Sequence, residues 1–533
     1  MHQHQSFVAT VGLHRPNKHV ISISDLRSQM AEKVYDFVII GSGLGGLQCA
    51  YILADHGYSV CVLEKNQQLG GSLQVFSRDK TVFDTGVHYL PAMDEGQALH
   101  SYFKYFGLTD SVKWKKMDNH FDQISFDDGS KFHHASSWNE FEKTLIADFP
   151  EEENAIYSYS EAVQKAVKTF PLDELEFNEL DHTDNELLDI SAKAFIDGLT
   201  QNEKLRAVLA GSNLLYAGSA EKCPLYVHAL VTHGYVLSAY RCIDGGSQLA
   251  KELSKRIREK GGEVLRRKMV ISFDFEDGQL KSAKTEDGET YHGKNFISNI
   301  QPKVLLQLIG KEHLRPSYYN RFQRAPHTLS SFSVHIVCKP ESFPYLNQNV
   351  YHHTTNDVWA KPDYSEDEWP PQFMLSTPAT SKTDEYAEGI SIMTYMRFDE
   401  VEQWKDSHNT IASPGTREES YEQFKQRKTE QLLKAVSKRF PSITDSIHSV
   451  HASTPLTFRD YIGSDDGNMY GTEKDYRKGL TNFISPKTKI SNLWLTGQYL
   501  NLHGIFGVTI SSVVTCSQFL DKKKLLDRIK QAE

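Results

Sequence analysis

The sequence predicts an α/β protein, in which a parallel sheet flanked by helices forms one domain and mixed α+β structure forms a second. A short apolar run at residues 37–40 leads directly into a glycine-rich turn at residues 41–46. A helix-like segment follows, and then a second apolar run at residues 60–63. Such runs are typical of strands buried on both faces of a parallel sheet. The rest of the 533 residues leaves room for at least one further domain.

The first structural unit is a strand, a glycine turn, a helix and a second strand. The predicted helix covers residues 47–56 and ends at Gly57, and the second strand ends in Glu64. A unit of this order, about 30 residues long, begins a Rossmann-like nucleotide-binding domain.

The composition is that of an ordinary globular protein and narrows the range of partners. The chain has 59 Lys plus Arg, 69 Asp plus Glu and a formal net charge of -10. This balance argues against nucleic acid as the main partner, because phosphate binding needs a clustered basic face. The six cysteines form no C-x-x-C pair, which indicates reduced thiols, a cytoplasmic location and no metal site.

The middle of the chain mixes helices and strands. Residues 151–200 are acidic with apolar residues at helical spacing, which predicts a helical insertion with a solvated face. Asp-Gly turns at residues 277–278 and 287–288 predict short strands on either side. Residues 331–338 are predicted to form a strand, and residues 421–439 a helix.

Two further helices are predicted from caps and apolar spacing. Ser247 is the predicted N-cap of a helix that stops at Gly261. The chain closes with a predicted strand at residues 493–496, a glycine-rich turn and a helix that begins at Val508. Residues 490–520 contain no charged side chain, but their polar and glycine content predicts buried structure rather than a membrane span.

The glycine turn has the spacing G-x-G-x-x-G, with Gly41, Gly43 and Gly46. The first glycine permits the tight turn, the second lets backbone amides approach a pyrophosphate, and the third lets helix and strand pack closely. Glu64 lies at the end of the next strand, where a carboxylate can accept hydrogen bonds from a ribose. The combination predicts a dinucleotide site rather than a glycine turn without a ligand.

Further motifs resemble those of one enzyme family. Residues 69–72 read Leu-Gly-Gly-Ser, residues 84–89 read Asp-Thr-Gly-Val-His-Tyr, and residues 495–498 and 504–508 read Leu-Thr-Gly-Gln and Gly-Ile-Phe-Gly-Val. With these motifs the chain resembles the FAD-dependent phytoene desaturase, carotenoid isomerase and retinol saturase family. The Asp-x-Gly-x-His-Tyr run is most similar to the retinol saturase-like branch. Tyr499 departs from the family pattern, which usually has an acidic residue after Thr-Gly-Gln.

The resemblance implies an FAD site assembled from distant parts of the chain. The glycines after Glu64 would pass near the cofactor, the C-terminal motif would close over the isoalloxazine, and the Val270 backbone would meet the adenine. A helix that starts at Val508 would direct backbone amides at the flavin pyrimidine edge. The residues expected to bind the cofactor are Gly41, Ser42, Gly43, Leu44, Gly45, Gly46, Glu64, Lys65, Gly70, Gly71, Ser72, His88, Val270, Gly497, Gln498, Gly507 and Val508.

His88 and Tyr89 are the predicted catalytic residues. Histidine transfers protons near neutral pH, and adding hydrogen across an alkene needs a hydride and a proton. Ordering of its loop and contact with the cofactor stay open as alternative roles for His88. The tyrosines expected to line a cavity, unless they are simply core residues, are Tyr235, Tyr240, Tyr470 and Tyr499.

The function implied by the resemblance is FAD-dependent oxidoreduction of carbon-carbon double bonds in a hydrophobic polyene or isoprenoid, with saturation favoured. Flavin-dependent cis-trans isomerisation or desaturation is the alternative within the enzyme class. A non-catalytic prenyl-lipid binding protein of the same fold is the alternative outside it. NAD(P)H is a candidate electron donor that would share the single active site, because the sequence has no second strand-bound G-x-G-x-x-G.

The basic segment at residues 522–530 has two interpretations. It could contact anionic headgroups as a peripheral membrane element, or it could be a solvated terminal helix, which its short length favours.

The predicted domains are an N-terminal leader (1–33), a discontinuous FAD-binding domain (34–100, 240–310 and 450–520), a substrate domain with the helical insertion (101–239 and 311–449), and a basic C-terminal tail (521–533).

Overall fold

The computed structural model describes residues 33–176, 186–411 and 413–532. The predicted leader, apart from its last residue, and part of the predicted acidic insertion lie outside these described residues. The strands are β1 Val34–Ile40, β2 Val60–Leu63, β3 Val75–Arg78, β4 Thr81–Asp84, β5 Leu90–Pro91, β6 Trp114–Lys116, β7 His120–Phe126, β8 Lys131–Ala135, β9 Ala239–Cys242, β10 Glu263–Leu265, β11 Val270–Glu276, β12 Gln279–Thr285, β13 Thr290–Ser298, β14 Ser330–Cys338, β15 Asn349–His353, β16 Gln372–Ser376, β17 Gly389–Met396, β18 Ile447–Ser453 and β19 Leu493–Leu495. The α-helices are α1 Leu44–Asp55, α2 Ala98–Tyr105, α3 Trp138–Asp148, α4 Glu153–Val167, α5 Ala192–Leu199, α6 Glu203–Leu209, α7 Leu225–Leu237, α8 Ser247–Glu259, α9 Pro302–Ile309, α10 Pro316–Gln323, α11 Glu419–Arg439, α12 Ile443–Ser446, α13 Pro455–Ile462, α14 Gly504–Cys516 and α15 Lys522–Lys530.

The first sheet of the described chain has seven strands and is built around the predicted nucleotide-binding unit. Its order is β10-β2-β1-β13-β12-β11, and β19 pairs with β13. The strands β10, β2, β1, β13 and β19 run parallel, while β11 and β12 pair antiparallel. The predicted Asp-Gly turns separate β11, β12 and β13, as expected. Strands from near both ends of the described chain therefore lie side by side in one sheet.

The second sheet has the order β18-β14-β17-β16-β15-β7-β8. Its neighbours pair antiparallel except for β7 and β15, which run parallel. The helices α3 to α7 bury apolar side chains in one core with residues of this sheet. The predicted fold class is confirmed: a Rossmann-like domain is combined with a mixed α+β domain. The exact domain boundaries stay a prediction.

The helices α1 and α14 join the two ends of the nucleotide-binding unit. Gln48 on α1 donates a hydrogen bond through Nε2 to Oγ1 of Thr509 on α14, at 2.8 Å. The thiol of Cys516 on α14 lies 3.8 Å from the carbonyl oxygen of Cys49 on α1. All four residues are buried, so this contact belongs to the core of the protein.

Two predicted helix starts are wrong. The last long apolar helix begins at Gly504, four residues before the predicted start at Val508. Gly507 lies inside this helix and does not make a turn. A Cβ atom at this position would come within 2.6 Å of the Leu502 side chain, so close packing requires a glycine there. Ser247 is the first residue of α8, and the N-cap is Gly246.

The predicted basic tail contains the helix α15. Its apolar side chains Leu525, Leu526 and Ile529 are buried in the core that contains α1 and α2. Arg528 binds Asp55 of α1 at 2.7 Å. Because the protein core takes up this apolar face, the structure favours the interpretation as a solvated terminal helix. Among the described helices, none has the length and apolar character needed to cross a membrane.

Candidate active site

The N-terminus of α1 is open to a ligand. Gly41 precedes it with a φ of 93°, a conformation that favours glycine, and Gly43 is its N-cap. In the described structure no side chain caps this helix, and its first turn holds no acidic residue. The first amides of a helix have no partner within the helix, and the helix dipole favours an anion there. This end of α1 therefore suits a pyrophosphate.

Two glycine segments meet at Asn299, which follows β13, and a third segment contacts the first. A Cβ atom added at Gly43, Gly45 or Gly497 would lie 2.6, 2.8 or 2.5 Å from the Asn299 amide. A Cβ at Gly71 would lie 3.3 Å from the Cα of Gly43. The absence of side chains lets the three backbone segments approach one another. Asn299 itself is missed by sequence reasoning, because the residue after a strand carries no local signal of this contact.

Glu64 holds the glycine turn through its carboxylate. It is 5% exposed and accepts hydrogen bonds from the Ser42 amide at 3.0 Å, the Ser42 hydroxyl at 2.6 Å and the Asn66 amide at 2.8 Å. A carboxylate offers about four acceptor positions, so one remains for a ribose hydroxyl. Lys65 lies elsewhere: its Nζ donates to the Asp460 carbonyl at 2.8 Å, and burial lowers its pKa.

The other predicted cofactor residues lie around this turn. The Gly70 amide donates to the Ser42 hydroxyl at 3.1 Å, and Ser72 is exposed in the turn that follows. Val270 begins β11, two residues after Lys268, whose amide donates to the Glu64 carbonyl at 2.7 Å. These positions fit the expected course of a dinucleotide along the turn. Val508, in contrast, lies within α14 and is buried in the core.

A cavity of about 20 Å³, which has room for about one water molecule, adjoins the glycine segments. Gly497, which contacts Asn299, is followed directly by Gln498 in the cavity wall. His503, the N-cap of α14, also lines the cavity, and no described side chain caps this helix. The cavity walls include Tyr216, Thr328, Tyr470, Lys474, Gln498 and His503. The N-terminus of α14 therefore lies at the edge of this small cavity.

The donors and acceptors around the cavity are mostly satisfied within the protein. His503 binds the Leu215 carbonyl through Nε2 at 3.0 Å, and burial lowers its pKa to about 4. The Tyr470 hydroxyl donates to the Leu214 carbonyl at 2.7 Å. Oδ1 of Asn501, which also lines the cavity, has no partner among the described residues. The lining of the cavity is therefore mixed, with polar as well as aromatic and apolar side chains.

Tyr89 lies in a buried hydrogen-bond network of the second domain. Its hydroxyl donates to Oδ2 of Asp122 at 2.9 Å and lies 2.7 Å from the Tyr351 hydroxyl. Asn349 donates to Oδ1 of Asp122 at 3.0 Å and accepts from the buried Arg241 guanidinium at 2.8 Å. Burial raises the pKa of Asp122 to about 7. Sequence reasoning missed Asp122, Asn349 and Arg241, because the sequence does not show which polar residues of a strand face the interior.

His88 is neutral near physiological pH. Burial, and then the charge of Arg241, lower its pKa to about 4. Neither His88 nor Tyr89 is among the residues that line the cavity beside Gln498. Their catalytic roles stay predictions. The first residue of the same motif, Asp84, accepts a hydrogen bond from the Gly246 amide at 2.7 Å and so connects this motif to the start of α8.

The four tyrosines named from the sequence occupy different places. Tyr470 lines the cavity, as predicted. The Tyr235 ring stacks on Tyr89 with centroids 4.2 Å apart. The Tyr240 hydroxyl donates to Asp94 at 2.6 Å, away from the cavity wall. The Tyr499 hydroxyl binds Asn468 at 3.2 Å and is buried.

The fold and the glycine-lined groove define a flavin-dependent oxidoreductase. The model of the family described as "Flavin containing amine oxidoreductase" matches residues 44–504 of this chain, so the chain belongs to this family. The family has a flavin cofactor, and the residues around α1 and α14 fit such a group. The predicted resemblance to the retinol saturase and carotenoid isomerase group is confirmed by the relatives.

Two relatives and one solved structure illustrate the similarity. All-trans-retinol 13,14-reductase of Danio rerio is 25% identical over 557 residues, which cover 94% of this chain and 88% of the relative. Chloroplastic prolycopene isomerase of Daucus carota is 25% identical over 510 residues, covering 90% and 79%. An oxidoreductase from Methanosarcina mazei shares the fold with a TM-score of 0.61 at 14% identity, covering 90% of this chain and 99% of that one.

Proposed function

We propose that this protein is an FAD-dependent enzyme that reduces a carbon-carbon double bond in a hydrophobic polyene of the retinoid or carotenoid class. The observation that carries the proposal is the close approach of the glycine turn at the uncapped N-terminus of α1 to the Gly497 segment, which leads into the uncapped N-terminus of α14. The names of the relatives, a retinol reductase and a prolycopene isomerase, support a polyene as the substrate class.

FAD would be held by the two ends of the described chain together. The α1 amides would bind the pyrophosphate, Glu64 the ribose and the Val270 backbone the adenine, while the α14 amides would face the flavin pyrimidine edge. The bound flavin supplies hydride-transfer chemistry. The protein's own residues would orient the alkene beside the cofactor.

The products distinguish reduction from isomerisation. The purified holoprotein is incubated with all-trans-retinol or a poly-cis carotene, with and without dithionite, and the products are weighed by mass spectrometry. Reduction adds two hydrogens and is expected with retinol and dithionite. Isomerisation leaves the mass unchanged, and desaturation removes two hydrogens. Either of these results alone would replace the proposed reduction.

The purified protein also tests the non-catalytic alternative. A flavoprotein is yellow, and its chromophore is released as FAD on denaturation. A colourless protein that takes up no added FAD but binds prenyl lipid would favour the binding module.

We also propose NAD(P)H as the electron donor at the same site. Because the sequence has a single strand-bound glycine motif, a nicotinamide would share the active site with the substrate. Anaerobic mixing of the holoprotein with NADPH or NADH should bleach the flavin absorbance. Bleaching by dithionite but by neither nucleotide would assign another donor.

The buried, unpaired cysteines of the described chain support the proposed cytoplasmic location.

A further inference from the structure

Asn299 lies at the point where the strand order of the first sheet reverses. Its backbone amide donates to the carbonyl of Ile40, the last residue of β1, at 2.9 Å. The chain leaves β1 through α1 for β2 on one side, whereas β19 pairs with β13 on the other side. In sheets of this kind a ligand binds outside the carboxyl ends of the strands at such a point. Asn299 therefore stands where the fold places a nucleotide.

The side-chain amide of Asn299 lies against the glycine turn. A Cβ atom at Gly43, the N-cap of α1, would come within 2.6 Å of Nδ2, and one at Gly497 within 2.5 Å of Oδ1. Asn299 is half-buried, and its amide has no hydrogen-bond partner among the described residues. An asparagine amide has two N–H donors. Both donors therefore remain free beside the uncapped N-terminus of α1.

The other polar side chains nearest the start of α1 are engaged within the protein. The Ser42 hydroxyl donates to the Glu64 carboxylate at 2.6 Å, and the carboxylate itself can only accept. Gln48 donates through Nε2 to the hydroxyl of Thr509 at 2.8 Å. Residues 41–54 contain no basic side chain. A diphosphate at this turn would therefore be bound by neutral donors, which are the backbone amides and the amide of Asn299.

We propose that Asn299 is a cofactor-binding residue, whose side-chain amide donates hydrogen bonds to the diphosphate of FAD. This role rests on the FAD binding of the proposed function and not on the reaction. Phosphate oxygens accept hydrogen bonds, and a charged acceptor makes such a bond stronger than one between neutral groups. The glycines at 43, 45 and 497 leave the space that the Asn299 side chain occupies, so they serve this contact as well as the close approach of the backbones.

The first test measures the FAD affinity of variants with side chains of similar size. Apoprotein of the wild type, Asn299→Leu and Asn299→Asp is titrated with FAD at pH 8. Asn299→Leu has no donor and should bind FAD about tenfold more weakly or worse. Asn299→Asp brings a second anion to the diphosphate and should bind more weakly still. Exposed Asn320→Asp on α10 is the matched control and should bind as the wild type does. Wild-type affinity in either Asn299 variant overturns the proposal.

The pH dependence of Asn299→Asp separates this contact from a packing role. A neighbouring diphosphate should raise the pKa of the introduced carboxyl group by one or two units from about 3.9. The protonated carboxyl group regains an O–H donor, so between pH 8 and pH 5 the FAD affinity should recover by about twofold to tenfold relative to the wild type. The ratio for Asn299→Leu should stay constant. A constant ratio for Asn299→Asp would indicate packing alone and overturn the proposal.

A crystal structure of the wild-type holoprotein tests the contact without any variant. Nδ2 of Asn299 should lie about 2.7–3.2 Å from a phosphate oxygen of FAD. A separation above about 3.5 Å overturns the proposal, even where the variants fail to fold. If the wild type takes up no FAD, the proposed function fails and the role of Asn299 fails with it. If the wild type and both variants bind FAD equally well, only the role of Asn299 is wrong.

Discussion

The hydroxyl of Tyr89 donates a hydrogen bond to Oδ2 of Asp122 across 2.9 Å, in a part of the second domain where both residues are almost fully buried. Asn349 connects the same carboxyl group to Arg241. The phenol predicted to be catalytic is therefore tied to a buried carboxyl group whose pKa is about 7. This arrangement has consequences for stability that can be measured separately from activity.

The protein should lose stability as the pH rises from acid to neutral, and replacing Asp122 with Asn should make this loss smaller. The pKa of Asp122 is raised from 3.8 to about 7, so over this range the folded protein holds a proton that the unfolded chain releases. The free energy of unfolding therefore falls as pH rises through this range. Asp122→Asn cannot titrate, and its unfolding midpoint should fall less steeply with pH.

Thermal unfolding of the holoprotein across this pH range measures the effect. Exposed Asp110→Asn is the control and should keep the wild-type slope. Some slope should remain in Asp122→Asn, because burial also raises the pKa of Asp84 to about 7. Equal slopes in wild type and Asp122→Asn would contradict the protonated state assigned here.

Gly45→Ala should impair both stability and flavin binding. The added Cβ would meet Oδ1 of Asn299 at 2.8 Å and the Gly497 backbone at 3.2 Å, and backbone cannot move aside cheaply. We expect a loss of about 1–3 kcal/mol in the free energy of unfolding. Gly198→Ala in helix α5 is the matched control, because no atom lies within 4 Å of its added Cβ. Equal stability of the two variants would argue against close packing at Gly45.

Glu64→Gln should weaken FAD binding by about tenfold, since a charged acceptor strengthens a hydrogen bond to ribose by roughly 1.5 kcal/mol. Glu64→Ala should be worse, because it also frees the Ser42 and Asn66 amides that the carboxylate holds. Titration of the apoprotein with FAD gives the dissociation constants. Exposed Glu259→Gln on α8 should bind as the wild type does. Wild-type affinity in Glu64→Ala would remove Glu64 from the site.

His88→Gln tests the predicted proton donor through the pH profile of flavin oxidation by the polyene. If His88 gives the proton, the wild-type rate should fall as pH rises through about 4, the pKa to which burial lowers it, and His88→Gln should be about 100-fold slower. A rate for His88→Gln within about twofold of the wild type would remove His88 from proton transfer.

The local signals in the sequence predicted the nucleotide-binding unit well. The apolar runs of β1 and β2, the glycines between them and the Asp-Gly turns act over a few residues, so their geometry follows from local preferences. The start of α14 was misplaced because Gly507 was interpreted as part of a turn. A glycine is needed there because the backbone packs closely against Leu502, and the sequence pattern does not show such packing.

The residues that sequence reasoning missed depend on contacts between distant segments. Asn299 stands at the end of an apolar run, and only its contacts with Gly43 and Gly497 place its amide at the glycine turn. Asp122 follows an alternating strand pattern in which a buried carboxyl group looks like an exposed one. No local preference marks either residue, because both environments arise from the tertiary fold.

The pairing of β19 with β13 and the packing of α14 on α1 also bear on synthesis of the protein. A ribosome must release most of the polypeptide before these last elements can reach the sheet begun at Val34. Until then the nascent chain carries an incomplete apolar layer and no closed groove for the nucleotide. The nucleotide can therefore be enclosed only after β19 and α14 have been synthesised and have packed against β13 and α1.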